Sequence, residues 1–368
     1  MPRRILIAPD KFKGSLSAME AAVAIARGIH QSEPDAELDL CPIADGGEGF
    51  METLQPTLDG KWITCPAVDP LGRPIKSRYV IAKTPQGLTA ILEMAETAGL
   101  WRLTDEKRLP LQATTRGVGM QMAHAITEHS VTRIILGLGG SATTDGGAGM
   151  AAALGVMFLD ENEMAIDPIP ANLHRLQRID GSSRLALPEI IAACDVENPL
   201  LGPRGSTAVF SEQKGASADD KIVLEHALTH LTTITGGEAS ATTPGAGAAG
   251  GLGFGLLHFA AAKLVSGFDL LANLLELEKR IRSADHVITG EGSIDHQSLS
   301  GKGPVALARL AASLGVPVTG FCGLADTDAR NSGIFHALHA LGDTGNPLDA
   351  LMSDAALHLT QLVAKSTI

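Results

Sequence analysis

Short apolar runs that end in polar, glycine-rich turns recur along this chain. The first is RRILIAPD, where Ile5, Leu6 and Ile7 predict a strand stopped by Pro9. Ser17 and Glu20 then stand at capping-box spacing and predict a helix to about His30. The layout repeats in AELDLCPIADGGEG: Leu38 and Leu40 alternate with polar residues, and Asp45, Gly46, Gly47, Glu48 and Gly49 follow. A second region opens with VDPLGRPIKSRYVIA, whose turn chemistry at 70–72 leads into a strand, and GLTAILEMA predicts another after the turn at 85–87. Val118, Met122, Ala125 and Ile126 line one face of a helix in TTRGVGMQMAHAITEHS, and the strand RIIL comes next. EIIAACDVENP predicts a strand ending at Asp195, and HVITGEGSID one ending at Gly290. Between them the pattern predicts a helix over 219–235 and a single long one over about 255–282. GKGPVALARLAASLGVPVTGFCG adds a helix and then a strand. Strands alternating with helices place the chain in the α/β class, with parallel sheets covered by helices.

At 368 residues the chain exceeds the size at which single cores stop growing, about 250 to 300 residues, so two domains are expected. Hydrophobic residues at 45% suit a well-packed globular protein, whereas aromatics at 3% leave little material for stacking on bases. The net charge of −12 argues against a nucleic-acid partner, because that affinity comes from Lys and Arg neutralising phosphates. An anionic ligand must then be held by a local cluster. No membrane partner is expected either. Residues 239–262 are uncharged over a bilayer-spanning length, but PGAGAAGGLGFG within them reads as a glycine-rich loop feeding a buried helix. Cys41, Cys65, Cys194 and Cys322 lie far apart with no C-x-x-C pair, which fits buried residues of a reduced, cytoplasmic protein. The four apolar residues before Pro9 are too few for a signal-peptide core.

Ligands of open α/β sheets bind beyond the carboxyl ends of the strands. There the chain places Asp10, Lys11 and Lys13, then Asp45, Asp145, Asp195, and Glu291 with Asp295. Asp145 belongs to GLGGSATTDGGAG, residues 137–149, which holds six glycines, three hydroxyls and one carboxylate in thirteen positions. Several readings of that loop compete. Gly137, Gly139 and Ala142 satisfy the dinucleotide fingerprint, with Asp160 near the distance of a ribose contact, which would suit an NAD-dependent oxidoreductase of a small hydroxy acid. The fingerprint also needs a helix to start directly after the second glycine, and TTDGG interrupts one. A Walker A loop is absent, since Gly301 and Lys302 have His296 where the first glycine belongs and Gly303 where the hydroxyl belongs. In a purely structural reading the glycines serve helix–strand packing and Asp145 caps a helix. In the remaining one, Ser141, Thr143 and Thr144 join free backbone N–H groups in an anion cradle, with Asp145 near its metal.

Phosphoryl transfer asks for this inventory: donors and a Lys on the phosphates, carboxylates for magnesium, and one carboxylate to orient or deprotonate the accepting hydroxyl. ITGEGSIDHQSLSGKG offers Glu291 and Asp295 for the metal and Lys302 for phosphate charge. Asp195 in AACDVENP is a candidate base or a turn cap. His226 and His230 have the i, i+4 spacing of zinc ligands, but Ala227 stands where a metalloprotease glutamate belongs, and they read as solvated, as do His336 and His339.

Taken in order, IAPDKFKGSLSA, ADGGEG, DPLGRP, GLGGSATTDGGAGM, ACDVENPL, QKGA, PGAGAAGGLG and ITGEGSID with GKGP resemble the bacterial type 1 glycerate kinases, from about Ile7 to Pro304 and beyond. The resemblance implies ATP- and Mg2+-dependent phosphorylation of D-glycerate, at the 2-hydroxyl to give 2-phosphoglycerate, within glyoxylate or sugar-acid catabolism. It also implies two α/β domains with the active site in the cleft. One is a Rossmann-like parallel-sheet domain built from both chain ends, 1–61 plus 271–368, and the other an inserted α/β domain, 62–270. Ser293 departs from the larger, often basic residue of the family's GEGxxD, and Gly303 from a bulkier one. Charge then divides the motifs between ligands. Glycerate is a small monoanion with hydroxyls, which Lys13, Arg73, Asp10 and Asp45 suit. Gly139, Gly140, Ser141 and Thr143, with Gly290 and Gly292, suit the triphosphate, and Glu291 and Asp295 its magnesium, leaving Asp195 and Lys302 as the catalytic pair. A non-catalytic sugar-acid sensor, whose ligand affinity would ignore ATP, is the alternative from another class. An oligomer is compatible with all of these.

Overall fold

In the computed structural model the described residues are 2–44, 46–104, 108–296, 298–300 and 303–366. They hold strands β1 (Arg4–Ile7), β2 (Glu37–Leu40), β3 (Lys61–Val68), β4 (Pro74–Thr84), β5 (Gly87–Glu93), β6 (Arg133–Gly137) and β7 (Met157–Leu159). The later strands are β8 (Arg178–Asp180), β9 (Glu189–Ala193), β10 (Lys263–Val265), β11 (His286–Ile294), β12 (Val318–Ala325) and β13 (Ala337–Ala340). The chain divides into two units, one of Met1–Asp45, Glu52–Thr57 and Phe268–Ile368, the other of Gly46–Met51 and Leu58–Gly267.

The first unit carries a five-stranded sheet in the order β13-β12-β11-β1-β2, every pair parallel. A parallel sheet is stable only with both faces covered, which is why Ile5, Leu6 and Ile7 are apolar without alternation and fully buried. Helices Ala18–Ser32 and Ala355–Lys365 cover one face, where Ile25, Ile29, Leu359 and Val363 pack with Ile5, Ile7, Ile288 and Phe321. Neighbouring Cys322 faces the other way and packs with Val305 of helix Gly303–Ser313, as the two-residue period of a strand requires. The Ser17–Glu20 capping box forms as the sequence predicts. β11 runs four residues past the expected end at Gly290, because Gly290, Glu291, Ser293 and Ile294 keep pairing with β12.

In the second unit a six-stranded sheet has the order β10-β9-β6-β5-β4-β3, with β10, β9, β6 and β5 parallel and β5, β4 and β3 antiparallel. A separate antiparallel pair joins β7 and β8. Phe158, Leu173, Leu228, Leu231 and Phe254 form a core cluster here. β9 ends at Ala193, so Asp195 lies in the turn beyond it. The long helix expected over 255–282 does not exist. The segment holds helices Ala248–Ala260, Gly267–Leu274 and Leu277–Arg282, with β10 between the first two. Ala261 and Glu276 take left-handed φ values of 49° and 51°, and Lys263–Val265 is recruited into the sheet by β9. All four cysteines are free, and Cys41, Cys65 and Cys322 are buried. No helix among the described residues is long and apolar enough to cross a membrane.

Candidate active site

β6 delivers the glycine-rich loop at its carboxyl end. The first part of that loop lies against residues 46–48: a Cβ added to Gly137 would sit 2.3 Å from Gly46 O, and one on Gly139 2.5 Å from Gly47 Cα. Those two glycines therefore let two backbones meet. Gly140 takes φ +67°, and Glu48 Oε1 lies 3.0 Å from where its Cβ would be. The carboxyl end of β9 joins them, since Leu138 N–H donates to Ala193 O at 3.0 Å. Further backbone bonds anchor the loop's flanks: Met94 N to Gly137 O at 3.1 Å, Leu100 N to Gly140 O at 2.8 Å and Ala142 N to Ala98 O at 2.8 Å. Among the described residues, the N–H groups of Gly139, Gly140 and Ser141 meet no acceptor. Gly140 is exposed and its two neighbours half-buried. Three consecutive N–H groups without a partner at an accessible turn are donors that an anion can use.

Below this tip the loop is sealed. Residues 142–150 are all buried, and Thr143 and Thr144 have hydroxyls with no protein partner. Thr143 is thus enclosed instead of lining the tip, and its carbonyl accepts from Lys214 Nζ at 2.7 Å. Asp145 is fully buried and binds donors only: Thr115 N at 2.7 Å, Thr115 Oγ1 at 2.9 Å, Gly147 N at 3.0 Å and Gly149 N at 3.2 Å. Thr115 is the N-cap of helix Arg116–His129, and Gly147 that of helix Ala148–Ala153, so one carboxylate ties two helix starts together. Asp145 is therefore a structural cap, and its side chain is not available to a metal. Burial pushes its carboxyl up, against the pull of these donors. Lys214 is equally enclosed, and burial brings its ammonium down to about 7, with the Asp145 charge opposing. No helix starts after Gly139, as a dinucleotide fingerprint demands; the next one begins at Ala148.

Asp195 Oδ1 accepts from Gly267 N at 2.8 Å, which makes it a cap on helix Gly267–Leu274. Arg73 closes the β3–β4 turn, its guanidinium paired with the buried Asp69, whose Oδ1 also accepts from Leu71 N and Arg73 N. Thr114 N–H donates to Pro70 O at 2.8 Å and joins this turn to the segment that Asp145 holds.

The first unit assembles a separate set. Asp10 N–H donates to Gly290 O at 2.8 Å, and Asp10 Oδ1 accepts from Lys11 N at 2.6 Å. A Cβ on Gly292 would lie 3.0 Å from Lys13 N, and one on Gly303 3.3 Å from Asp10 Oδ2. Asp10, Lys13, Gly290, Gly292 and the start of helix Gly303–Ser313 thus lie together where β1 has ended and β11 continues past it. Glu291 and Asp295 are half-buried there, and Asp295 Oδ1 accepts from Ser298 N at 3.1 Å. Asp45 and Lys302 lie outside the described residues. Among the described residues no three His, Cys, Asp or Glu side chains form a metal-binding group.

Sequence reasoning passed over three charged residues. Glu93 ends β5 and accepts Met51 N–H at 2.6 Å in a buried setting; it has the acidic strand-end signature used for the others and could have been found by it. Glu48 sits within ADGGEG, but only the fold brings it to Gly140. Lys214 lies in QKGA, where nothing local marks its burial.

The model of the glycerate kinase family matches residues 5–367. A glycerate kinase of Bacillus subtilis (strain 168) is 43% identical over 92% of this chain and 89% of its own length. A glycerate 2-kinase of Escherichia coli (strain K12) is 41% identical over 90% and 87% respectively. A crystal structure described as a glycerate kinase 2 from Salmonella typhimurium LT2 superposes with a TM-score of 0.84 at 35% identity, covering 99% of this chain and 97% of the other. With a family model and relatives of this kind along nearly its whole length, the chain belongs to the glycerate kinase family and is an enzyme of the kinase class.

Proposed function

We propose that the enzyme transfers the γ-phosphoryl group of ATP, with magnesium, to the 2-hydroxyl of D-glycerate and yields 2-phosphoglycerate and ADP. The observation that carries this is the tip of the glycine loop, where the N–H groups of Gly139, Gly140 and Ser141 meet no acceptor among the described residues at an accessible turn. These donors suit the phosphates of the nucleotide. Glu48 stands beside the same tip, so a bare anion would meet repulsion there and a magnesium-bound one would not. Magnesium takes hard oxygen ligands, commonly one or two carboxylates plus waters and phosphates, and Glu291 and Asp295 are donors of that type. When bound, the ion neutralises charge on the transferring group.

D-glycerate is held, in this reading, by Lys13 and Arg73 on its carboxylate and by Asp10 and Asp45 on its hydroxyls. The 2-hydroxyl oxygen forms the new bond to Pγ, the bond from Pγ to the β–γ bridging oxygen breaks, and Asp195 takes the hydroxyl proton. Lys302 offsets charge on the phosphates. The 2-hydroxyl is favoured because a relative at 41% identity is named a glycerate 2-kinase. Purified protein given ATP, magnesium and D-glycerate should release ADP, and the phosphorus NMR spectrum of the product should be that of 2-phosphoglycerate. A 3-phosphoglycerate signal would overturn the regiochemistry, and the absence of ADP release across a range of magnesium would overturn the reaction.

A further inference from the structure

Lys214 is a wholly enclosed ammonium that the proposed chemistry does not use. It ends the turn Glu212–Lys214, is followed by Gly215 at φ +90°, and reaches across the fold to the Thr143 carbonyl 71 residues away in sequence. That carbonyl is gripped from a second direction. Residues 249–251 all take left-handed φ, Ala249 included at 53°, and the reversal brings Gly250 so close that a Cβ there would be 1.7 Å from Thr143 O. Gly146 N–H donates back to Gly250 O at 3.1 Å. Left-handed backbone at a non-glycine residue persists only where surrounding structure over-determines it. The place it serves is the root of the turn that carries Gly139, Gly140 and Ser141.

We propose that Lys214 is the positioning residue of the glycine-rich loop: by holding the Thr143 carbonyl it fixes the angle at which the three tip N–H groups meet the nucleotide phosphates. This rests on the reading of that tip as the phosphate cradle. An enclosed ammonium is a poor device for stability alone, since an apolar side chain of similar length fills the same space without the loss of hydration. Methionine there would take its hydrogen bond from the Thr143 carbonyl, and with Leu100 N–H on Gly140 O and Ala142 N–H on Ala98 O still holding the flanks, the tip would shift and not come loose.

The test compares wild type, Lys214→Met and Lys214→Arg for the Kd of a non-hydrolysable ATP analogue with magnesium, the KM for D-glycerate and the urea midpoint at pH 7. Lys214→Met should be at least as stable as wild type, bind the analogue about tenfold more weakly, as expected of a misplaced and not a deleted contact, and keep its KM for glycerate within about twofold. Lys214→Arg, which retains a charge and a donor on a bulkier head, should fall between. An unchanged Kd for the analogue in Lys214→Met, or equal losses for both ligands, overturns the positioning role while leaving the phosphate cradle standing. Should Lys214→Met fail to fold, Lys214→Arg decides: a Kd raised about threefold or more supports the role, and a wild-type value overturns it. Wild-type protein that binds no analogue overturns the cradle, and this proposal with it.

Discussion

Asp145→Asn is the sharpest test of what holds the glycine loop, because it changes one atom at the point where two helix starts and the loop meet. The carboxylate receives three donors on Oδ2, from Thr115 N, Thr115 Oγ1 and Gly149 N, and one on Oδ1, from Gly147 N. Thr115 Oγ1 also accepts from Met150 N, so its own hydrogen is committed to Asp145. The best an asparagine can do is keep its oxygen under the three donors and turn its amide toward Gly147 N–H, donor against donor. One buried backbone N–H then loses its acceptor, at about 1–3 kcal/mol, and the three surviving bonds fall from charged to neutral strength. Lys214 also loses the counter-charge that favours its ammonium. Relief from burying the anion offsets part of the sum. We expect a loss of about 3–5 kcal/mol at pH 7. Urea unfolding followed by tryptophan fluorescence reads it directly, since the two tryptophans, Trp62 and Trp101, both belong to the second unit. A loss below about 1 kcal/mol, within the range of an ordinary surface substitution, would refute the assignment of Asp145 as the tie between the two helices.

Two further outcomes follow from the same geometry. Asp195→Asn keeps an oxygen for Gly267 N–H, so helix Gly267–Leu274 stays capped, while a general base is lost; kcat should fall by at least about 100-fold with the KM for glycerate little changed, and a wild-type kcat would leave Asp195 a cap alone. Lys214 falls from its ordinary 10.5 to about 7 in the fold, so from pH 7 to 10.5 the unfolded chain binds more protons and wild-type stability gains with rising pH, by about 1.4 kcal/mol per pH unit. Urea midpoints of wild type and Lys214→Met at pH 7, 8 and 9 should therefore diverge in favour of wild type, and parallel curves would show that the ammonium is not strained by burial.

What the sequence made legible was local. RRILIA, RIIL and EIIAA are too short and too apolar for anything but enclosed strands, and the Ser17–Glu20 box states its helix start outright. The broken helix after Gly255 was not legible, because the chain turns left-handed at Ala261 and Glu276 without the glycine or proline that usually announces such a break. β10 exists because β9 offers it an edge, and no window of sequence contains both. The extension of β11 through Gly290 and Gly292 was hidden for the opposite reason: glycine signals a turn locally, while the ladder with β12 keeps the strand going.

The glycine loop shows the same limit at finer grain. Its density of glycine marks a place where backbone must come close to something, but six glycines in thirteen positions do not say to what. Gly146 is pressed on Leu228 and Leu231, Gly147 on Gly255, and Gly149 on Thr114, so the second half of the loop is packing. Gly137 and Gly139 let residues 46–47 approach, which brings in Glu48. At the accessible tip, Gly139, Gly140 and Ser141 have N–H groups that meet no acceptor among the described residues. Those donors stabilise developing charge only if they need not reorganise when it appears, and a short stretch rich in glycine is by itself the least able to stay still. The sealed base answers that requirement: Asp145 ties it to two helices, Gly250 and Lys214 fix the Thr143 carbonyl, and an open tip stands on a base with no freedom to move. If the tip is the phosphate cradle, the residues that steady it are drawn from positions 115, 214 and 250, which only the fold brings to the loop.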